Sequence, residues 1–328
     1  MRGQPVALSL ILAFAALLLA RAADGQQPGR VYRLGWLAPN IVSGGPGEAF
    51  LGAMRDHGYI EGENLVIEVR DAMGRPDRFA PLAAELVALK PDCIVVMGVE
   101  PTQAAKRATT TIPIIMGNAD DDPVRRGLIA SFARPGGNVT GVTNIGADLA
   151  SKRLELLREL IPGLSQAAML WLSDVDTSTA HLRNTEAAAA TIGVRIEPLP
   201  IRSAEELDDA FRKAAESRVQ AIIVPAVGLA NVYQQRIADL AIAARLPLMT
   251  NNTPFAAAGA LISYDGDRRE RHRQVAGYVS RILTGANPSD LPIQQPAHFE
   301  LVLNLKTAKA LGLTIPQSLL QRADAVIE

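Results

Sequence analysis

Lys90-Pro91-Asp92-Cys93-Ile94-Val95-Val96-Met97-Gly98-Val99-Glu100-Pro101-Thr102 reads as a loop, a short apolar strand, and a turn that opens a helix. Residues 93–97 are apolar without a break, too short for a buried helix and bounded by turn formers. That is the pattern of a strand covered on both faces, in the interior of a parallel sheet. Gly98 lets the chain leave the strand tightly, and Pro101 suits a first helical turn. Glu100 and Thr102 lie where unpaired helix N–H groups point, at the sheet edge where ligands gather in open α/β folds.

The same grammar recurs in both directions. Upstream, strands are expected at 31–37 and 65–69 and helices at 48–57 and 77–89, with a glycine-rich loop at 39–47. Downstream come a helix at 101–108 and strands at 112–116 and 138–142. The pattern then restarts. Asp148 caps a helix carrying Leu149, Leu154, Leu157 and Leu160. Strands follow at 168–172, 194–199, 221–224, 246–249 and 260–263, with helices between them. Ser203 and Glu206 have capping-box spacing. A helix at 267–283, a proline-rich stretch at 287–296, a strand at 299–303 and a short helix at 306–311 complete the chain. The late pieces are too few for a third domain and most simply return to the first lobe before crossing again. The fold class expected is α/β: two doubly wound parallel-sheet lobes joined by a multi-strand hinge. Lobe 1 takes 30–143 plus about 267–292, and lobe 2 takes 147–264 plus about 297–328.

Composition narrows the function. The chain has 328 residues, 48% hydrophobic and 20% charged, enough for two ordinary domains with large cores. A formal net charge of −1 provides no basic footprint for nucleic acid. Arg2, the apolar run 6–20 and Ala20-Arg21-Ala22 form a signal peptide over 1–22, implying export to the periplasm. The apolar run is short of the roughly 20 residues of a membrane span, and no cysteine near the cleavage point offers a lipid anchor. Cys93 is the sole cysteine, read as a small buried hydrophobe.

Several long segments resemble one family: 57–65 (His57-Gly58-Tyr59-Ile60-Glu61-Gly62-Glu63-Asn64-Leu65), 131–141 (Ser131-Phe132-Ala133-Arg134-Pro135-Gly136-Gly137-Asn138-Val139-Thr140-Gly141) and 299–316, which opens Phe299-Glu300-Leu301-Val302. Segments 82–90, 105–113, 122–124 and 151–157 share the likeness. The chain thereby resembles the substrate-binding proteins of ABC transporters, in the tryptophan-binding group with the type I periplasmic fold. That resemblance implies hinged lobes, one small organic solute in the cleft, and delivery to an ABC permease in the inner membrane; the solute expected is an amino acid or an aromatic acid. It also implies that Thr102 and its neighbouring amides hold a ligand carboxylate. Two cleft loops depart from the family pattern, Leu172-Ser173-Asp174-Val175-Asp176 and the acidic Gly117-Asn118-Ala119-Asp120-Asp121-Asp122.

Strand-end loops are the expected contact residues. In lobe 1 these are Asn40, Ser43, Gly98, Glu100, Thr102, Asn118 and Asp120. In lobe 2 they are Ser173, Asp174, Ala226, Asn251, Asn252, Tyr264 and Asp265. Each has a plainer reading as a cap or turn former. Asp120-Asp121-Asp122 lacks the glycine turn and distal glutamate of a calcium loop, so a solvated turn is expected, with Asp120 as an alternative partner for a ligand ammonium. Gly44-Gly45-Pro46-Gly47 does not match a dinucleotide fingerprint. His57, His181, His272 and His298 lack metal-ligand spacing and are read as surface residues. No G-x-S-x-G elbow is present. No cofactor, metal or catalytic group is expected, and the protein should be a monomer. Rival readings are a ligand sensor for a membrane receptor and, less favoured, a secreted α/β enzyme.

Overall fold

The computed structural model describes residues 29–41, 45–144 and 149–328. The expected signal peptide, Ser43 and the Asp148 cap lie outside the described residues.

Two sheets organise the chain. The first runs β2-β1-β3-β4-β5, all parallel, from β1 (Tyr32–Ala38), β2 (Leu65–Asp71), β3 (Cys93–Met97), β4 (Ile114–Asn118) and β5 (Val139–Gly141). All five residues of β3 are buried, and the strand lies between β1 and β4. Its side chains divide by the two-residue period of a strand. Cys93, Val95 and Met97 join the core under α1 (Glu48–Asp56), whereas Ile94 and Val96 join the core under α2 (Phe79–Ala88) and α3 (Val99–Ala108). A continuous apolar run is what such two-sided burial requires.

The second sheet has the order β12-β11-β10-β9-β8-β6-β7. Its strands are β6 (Gln166–Leu172), β7 (Arg195–Ile201), β8 (Ile222–Val224), β9 (Leu248–Thr250), β10 (Ile262–Gly266), β11 (Phe299–Asn304) and β12 (Ala325–Ile327). Only the β10–β11 pair is antiparallel. α4 (Ala150–Leu160) and α5 (Asp176–Thr191) contribute to the core on one face, and α6 (Leu207–Glu216) covers the other with the short helix α7 (Leu229–Val232) and α8 (Gln234–Ala243). α9 (Thr253–Ala257), α11 (Leu305–Leu311) and α12 (Gln317–Leu320) complete this lobe.

The chain changes lobe three times. After β10, the long helix α10 (Arg268–Leu283) buries Val275, Ala276, Tyr278, Val279 and Ile282 in the first lobe's core, beside Trp36, Phe50 and Met54. The segment after it stays there: Tyr278 donates to Pro292 O, and Thr140 Oγ1 donates to Leu291 O at 2.6 Å. Val142 and Gln294 then pair as a parallel bridge before β11 re-enters the second sheet. The crossings converge on Gly266. A Cβ there would stand 2.7 Å from Asn144 Oδ1 and 2.9 Å from Pro296, so only glycine fits between the other two crossing strands.

Several local readings need correction. The strands expected at 112–116 and 246–249 begin two residues later, because Pro113 and Pro247 lack an N–H for the ladder; their carbonyls accept instead from Ile94 and Ile222. The Ser203–Glu206 capping box is not formed: Glu206 accepts from Arg202 N at 2.9 Å, and Ser203 Oγ caps no helix N–H. The helix expected between the strands at 221–224 and 246–249 breaks at Tyr233. α9, α12 and β12 were not expected; each is five residues or fewer, too short for a periodic signal.

Phe50 is fully buried and meets Trp36 edge-on at 4.8 Å. Phe50→Ala should therefore lower the stability of the first lobe by about 3–5 kcal/mol. Denaturant unfolding followed by amide exchange should show protection lost first in β1, β3 and β4.

Candidate functional site

The carboxyl ends of both sheets face one cleft of about 1100 Å³, part of it open to solvent. In open parallel sheets this edge collects backbone N–H groups and loop side chains. β1 delivers Asn40, β3 delivers Gly98 and Glu100, and β4 delivers Asn118 and Asp120. From the opposite lobe come Asp174, Ala226, Asn251, Asn252 and Asp265. These ten expected residues line the cleft together. Gly98 has φ of 114°, a backbone that a side chain would strain, and this is what turns β3 sharply into α3.

Three expected residues do not reach the cleft. Thr102 is fully buried, and both its hydroxyl (2.6 Å) and its N–H (3.3 Å) bond to Gly98 O. Ser173 lies outside with Arg202, whose Nε donates to its hydroxyl at 3.3 Å. Tyr264 stacks on Phe299 with ring centroids 5.9 Å apart, behind the cleft wall.

Glu100 lines the cleft but its carboxylate reaches across it. Glu100 Oε1 accepts from Thr177 N at 2.9 Å and from Thr177 Oγ1 at 2.5 Å, capping the first turn of α5 from the other lobe. A carboxylate is favoured there by the helix dipole. Beside it, Arg126 donates to Asp121 at 2.6 Å and to Asp176 at 2.7 Å, a second bridge between the lobes.

The solvated turn expected at Asp120-Asp121-Asp122 is only a third correct. Asp122 is exposed, but Asp120 and Asp121 are buried. Burial pushes the Asp121 carboxyl up, yet hydrogen bonds from Arg126, Asp122 N and Arg125 outweigh it and hold it below the ordinary value. Asp120 is held only by amides, from Asn144 Nδ2 at 3.1 Å and Asn118 Nδ2 at 3.4 Å, and among the described residues it has no ion pair.

The floor of the cleft is a buried polar network at the lobe crossings. Asn144 Nδ2 donates to both Asp265 oxygens at 2.9 Å, and Arg153 Nη2 donates to Asp265 Oδ1 at 3.2 Å. Arg271 Nη1 donates to Asn144 Oδ1 at 3.1 Å and lies 3.8 Å from Asp265 Oδ2. Burial pushes the Asp265 carboxyl up, against the pull of Arg153 and Arg271. Arg153, Asn144 and Arg271 were not foreseen. Arg271 could have been found: it lies four residues before Val275, on the stripe that α10 buries.

The same spacing corrects two histidines. His181 and His272 are buried, not surface residues. Burial lowers both, His181 to about 4 and His272 to about 3; Arg153 adds to the first, Arg268 and Arg271 to the second, while Asp120 pulls His181 back up. Neutral buried imidazoles contribute stability that is present above their unfolded pKa of about 6.5 and is lost as pH falls toward the folded values. Asp265 acts oppositely, favouring the fold as pH falls below its raised value of about 6. With two histidines against one carboxylate, the melting temperature of the free protein should fall between pH 6.5 and pH 4. A His181→Gln/His272→Gln variant, followed by calorimetry over that range, should show a shallower fall. Asp265→Asn should cost about 3–5 kcal/mol, by leaving two buried guanidinium groups without their anion.

Comparison with known proteins agrees with this architecture. The family model described as ABC transporter substrate binding protein matches residues 46–327. A tyrosine-binding protein of Clostridioides difficile is 25% identical over 266 residues, 81% of this chain and 76% of that protein. The crystal structure of a conserved domain protein from Vibrio cholerae superposes with a TM-score of 0.84 at 25% identity, covering 90% of this chain and all of that one. An ABC domain in complex with L-Trp from Streptococcus pneumonia gives a TM-score of 0.80 at 26% identity over the same shares. With nearly the whole described chain matched, two sheets facing one cleft and three crossings between them, the protein belongs to the ABC transporter substrate-binding protein family.

Proposed function

We propose that this protein binds a small amino-acid-like solute, tyrosine or tryptophan in type, in the cleft, and presents it unchanged to an inner-membrane ABC permease. The lobes in this reading are residues 30–143 plus about 267–292 and residues 147–264 plus about 297–328, turning about the three crossings at Asn144, Gly266 and Pro296. Export through the segment 1–22, a periplasmic location and a monomeric state belong to the same reading.

The observation that carries it is the chemistry of the cleft wall. Asp120 is a buried carboxylate with amide partners and, among the described residues, no ion pair, which suits a ligand ammonium. Apolar surface from Pro39, Phe79, Met97, Val175 and Val227 lines the same cleft and suits a ring or aliphatic side chain. The names of the relatives, one tyrosine-binding and one solved with L-Trp, support an amino-acid class of ligand. Closure is favoured by groups that already meet across the cleft, Glu100 with Thr177 and Arg126 with Asp176.

The mature protein should gain several degrees in melting temperature with L-tyrosine or L-tryptophan, by an amount that grows with ligand concentration. Asp120→Asn should weaken binding of the amino acid about tenfold or more. The bound solute, released by denaturation and identified by mass spectrometry, should have unchanged mass. A chemically altered solute would defeat the binding-only reading.

A further inference from the structure

Among the described residues, the cleft contains a second charge without an ion pair, opposite in sign to Asp120. The ionisable groups that line it there are Glu100, Asp120, Asp174, Asp265, Arg268 and Arg271. Four have partners of their own. Glu100 caps α5, Asp174 lies 3.4 Å from Arg202, and Asp265 and Arg271 belong to the floor network. Asp120 and Arg268 remain. Among the described residues Arg268 has no hydrogen-bond acceptor and no carboxylate within ion-pair distance. It is partly buried, and the charge that perturbs it is the cationic Arg271 on its own helix.

Arg271 adds an independent observation. Its side chain is 91% buried and lines the cleft, yet its Nε has no partner. A buried guanidinium N–H without an acceptor costs free energy, which an incoming anion recovers. The opposite vacancy lies next to Asp120, where Asn118 Oδ1 is buried without a donor. Its orientation is fixed because Asn118 Nδ2 already faces Asp120 Oδ2 at 3.4 Å, so a flipped amide would set two acceptors together. Among the described residues, the wall therefore carries a donor without an acceptor at one place and an acceptor without a donor at another.

The start of α3, where the family resemblance sets the carboxylate, is poorly suited to it here. Pro101 has no N–H, the Thr102 N–H is bonded to Gly98 O, and the first turn carries the Glu100 carboxylate. The first turn of α10 is not itself the site, since Asp267 already caps the N–H groups of Arg269 and Glu270.

We infer that the ligand carboxylate is held by the guanidinium groups of Arg268 and Arg271, at the base of α10, while Asp120 and Asn118 take the ammonium. This deepens the amino-acid reading above and rests on it. Arg268 is then the main determinant of a carboxylate-bearing ligand, and α10, which follows β10 of one lobe and packs in the core of the other, would feel the ligand directly.

Titration calorimetry separates this from the parent reading. The probes are L-tryptophan, tryptamine and indole-3-propionate, with L-tyrosine, tyramine and 3-(4-hydroxyphenyl)propionate as the matched series. Wild-type protein should bind one amino acid at least about 100-fold more tightly than its amine. Arg268→Gln should lower amino-acid affinity about 10- to 100-fold and leave affinity for the amine unchanged. Arg268→Gln binding the amino acid as wild type does, or losing amino acid and amine equally, would overturn the carboxylate site and leave the amino-acid reading intact. An amine that binds wild type as tightly as its amino acid would overturn it also. No binding by any probe would remove both.

Discussion

Asp265 is the residue on which the arrangement depends. It is the penultimate residue of β10, the last strand before α10 crosses into the other lobe, and it is buried between Arg153, Arg271 and Asn144. The four residues come from α4, α10, the first crossing and the end of β10, so one carboxylate joins pieces of chain that diverge into different cores. Burying such charges is costly, and the cost is offset only when every partner is present and hydrogen-bonded. The network therefore fixes the crossings relative to one another more than it adds stability. Gly266 next to it removes the side chain that would force those crossings apart.

Above that floor the cleft is built from two kinds of contact. Some already join the lobes. Glu100 caps α5 across the gap, and Arg126 pairs with acids on both sides. Others, among the described residues, are unfinished: Asp120 and Arg268 have no ion pair, and single atoms of Asn118 and Arg271 have no hydrogen-bond partner. The finished contacts hold the lobes in register, and the unfinished ones are those that the proposed amino-acid ligand would complete. An apolar wall containing Phe79 sets the rest of its shape.

The strand–turn–helix rhythm was legible because it is written in local chemistry. A run such as 93–97, with Gly98 after it, can be buried on two faces only in the middle of a sheet. From that rhythm the positions of strand ends follow, and ten of the fourteen expected contact residues do meet in one cleft. The failures share a cause. Thr102, Ser173 and Tyr264 have the right chemistry one residue away from the right direction, and their hydrogen bonds or ring contacts are satisfied elsewhere. Asp121, His181 and His272 look like surface residues by type, but helix packing and neighbouring arginines take them inside.

The sequence by itself determined the class of fold, the restart of the pattern near residue 148 and the family likeness, since each rests on residue order and spacing. Tertiary structure alone decided which charges are matched. Arg153, Asn144, Asp265 and Arg271 are separated by up to 127 positions along the chain, and no local pattern reveals that they share one buried site. Whether a carboxylate or guanidinium is available to a ligand is a property of its surroundings, because burial and pairing set its energy. That is why Arg268 and Arg271, ordinary helix residues in the sequence, become cleft residues only once both lobes are folded.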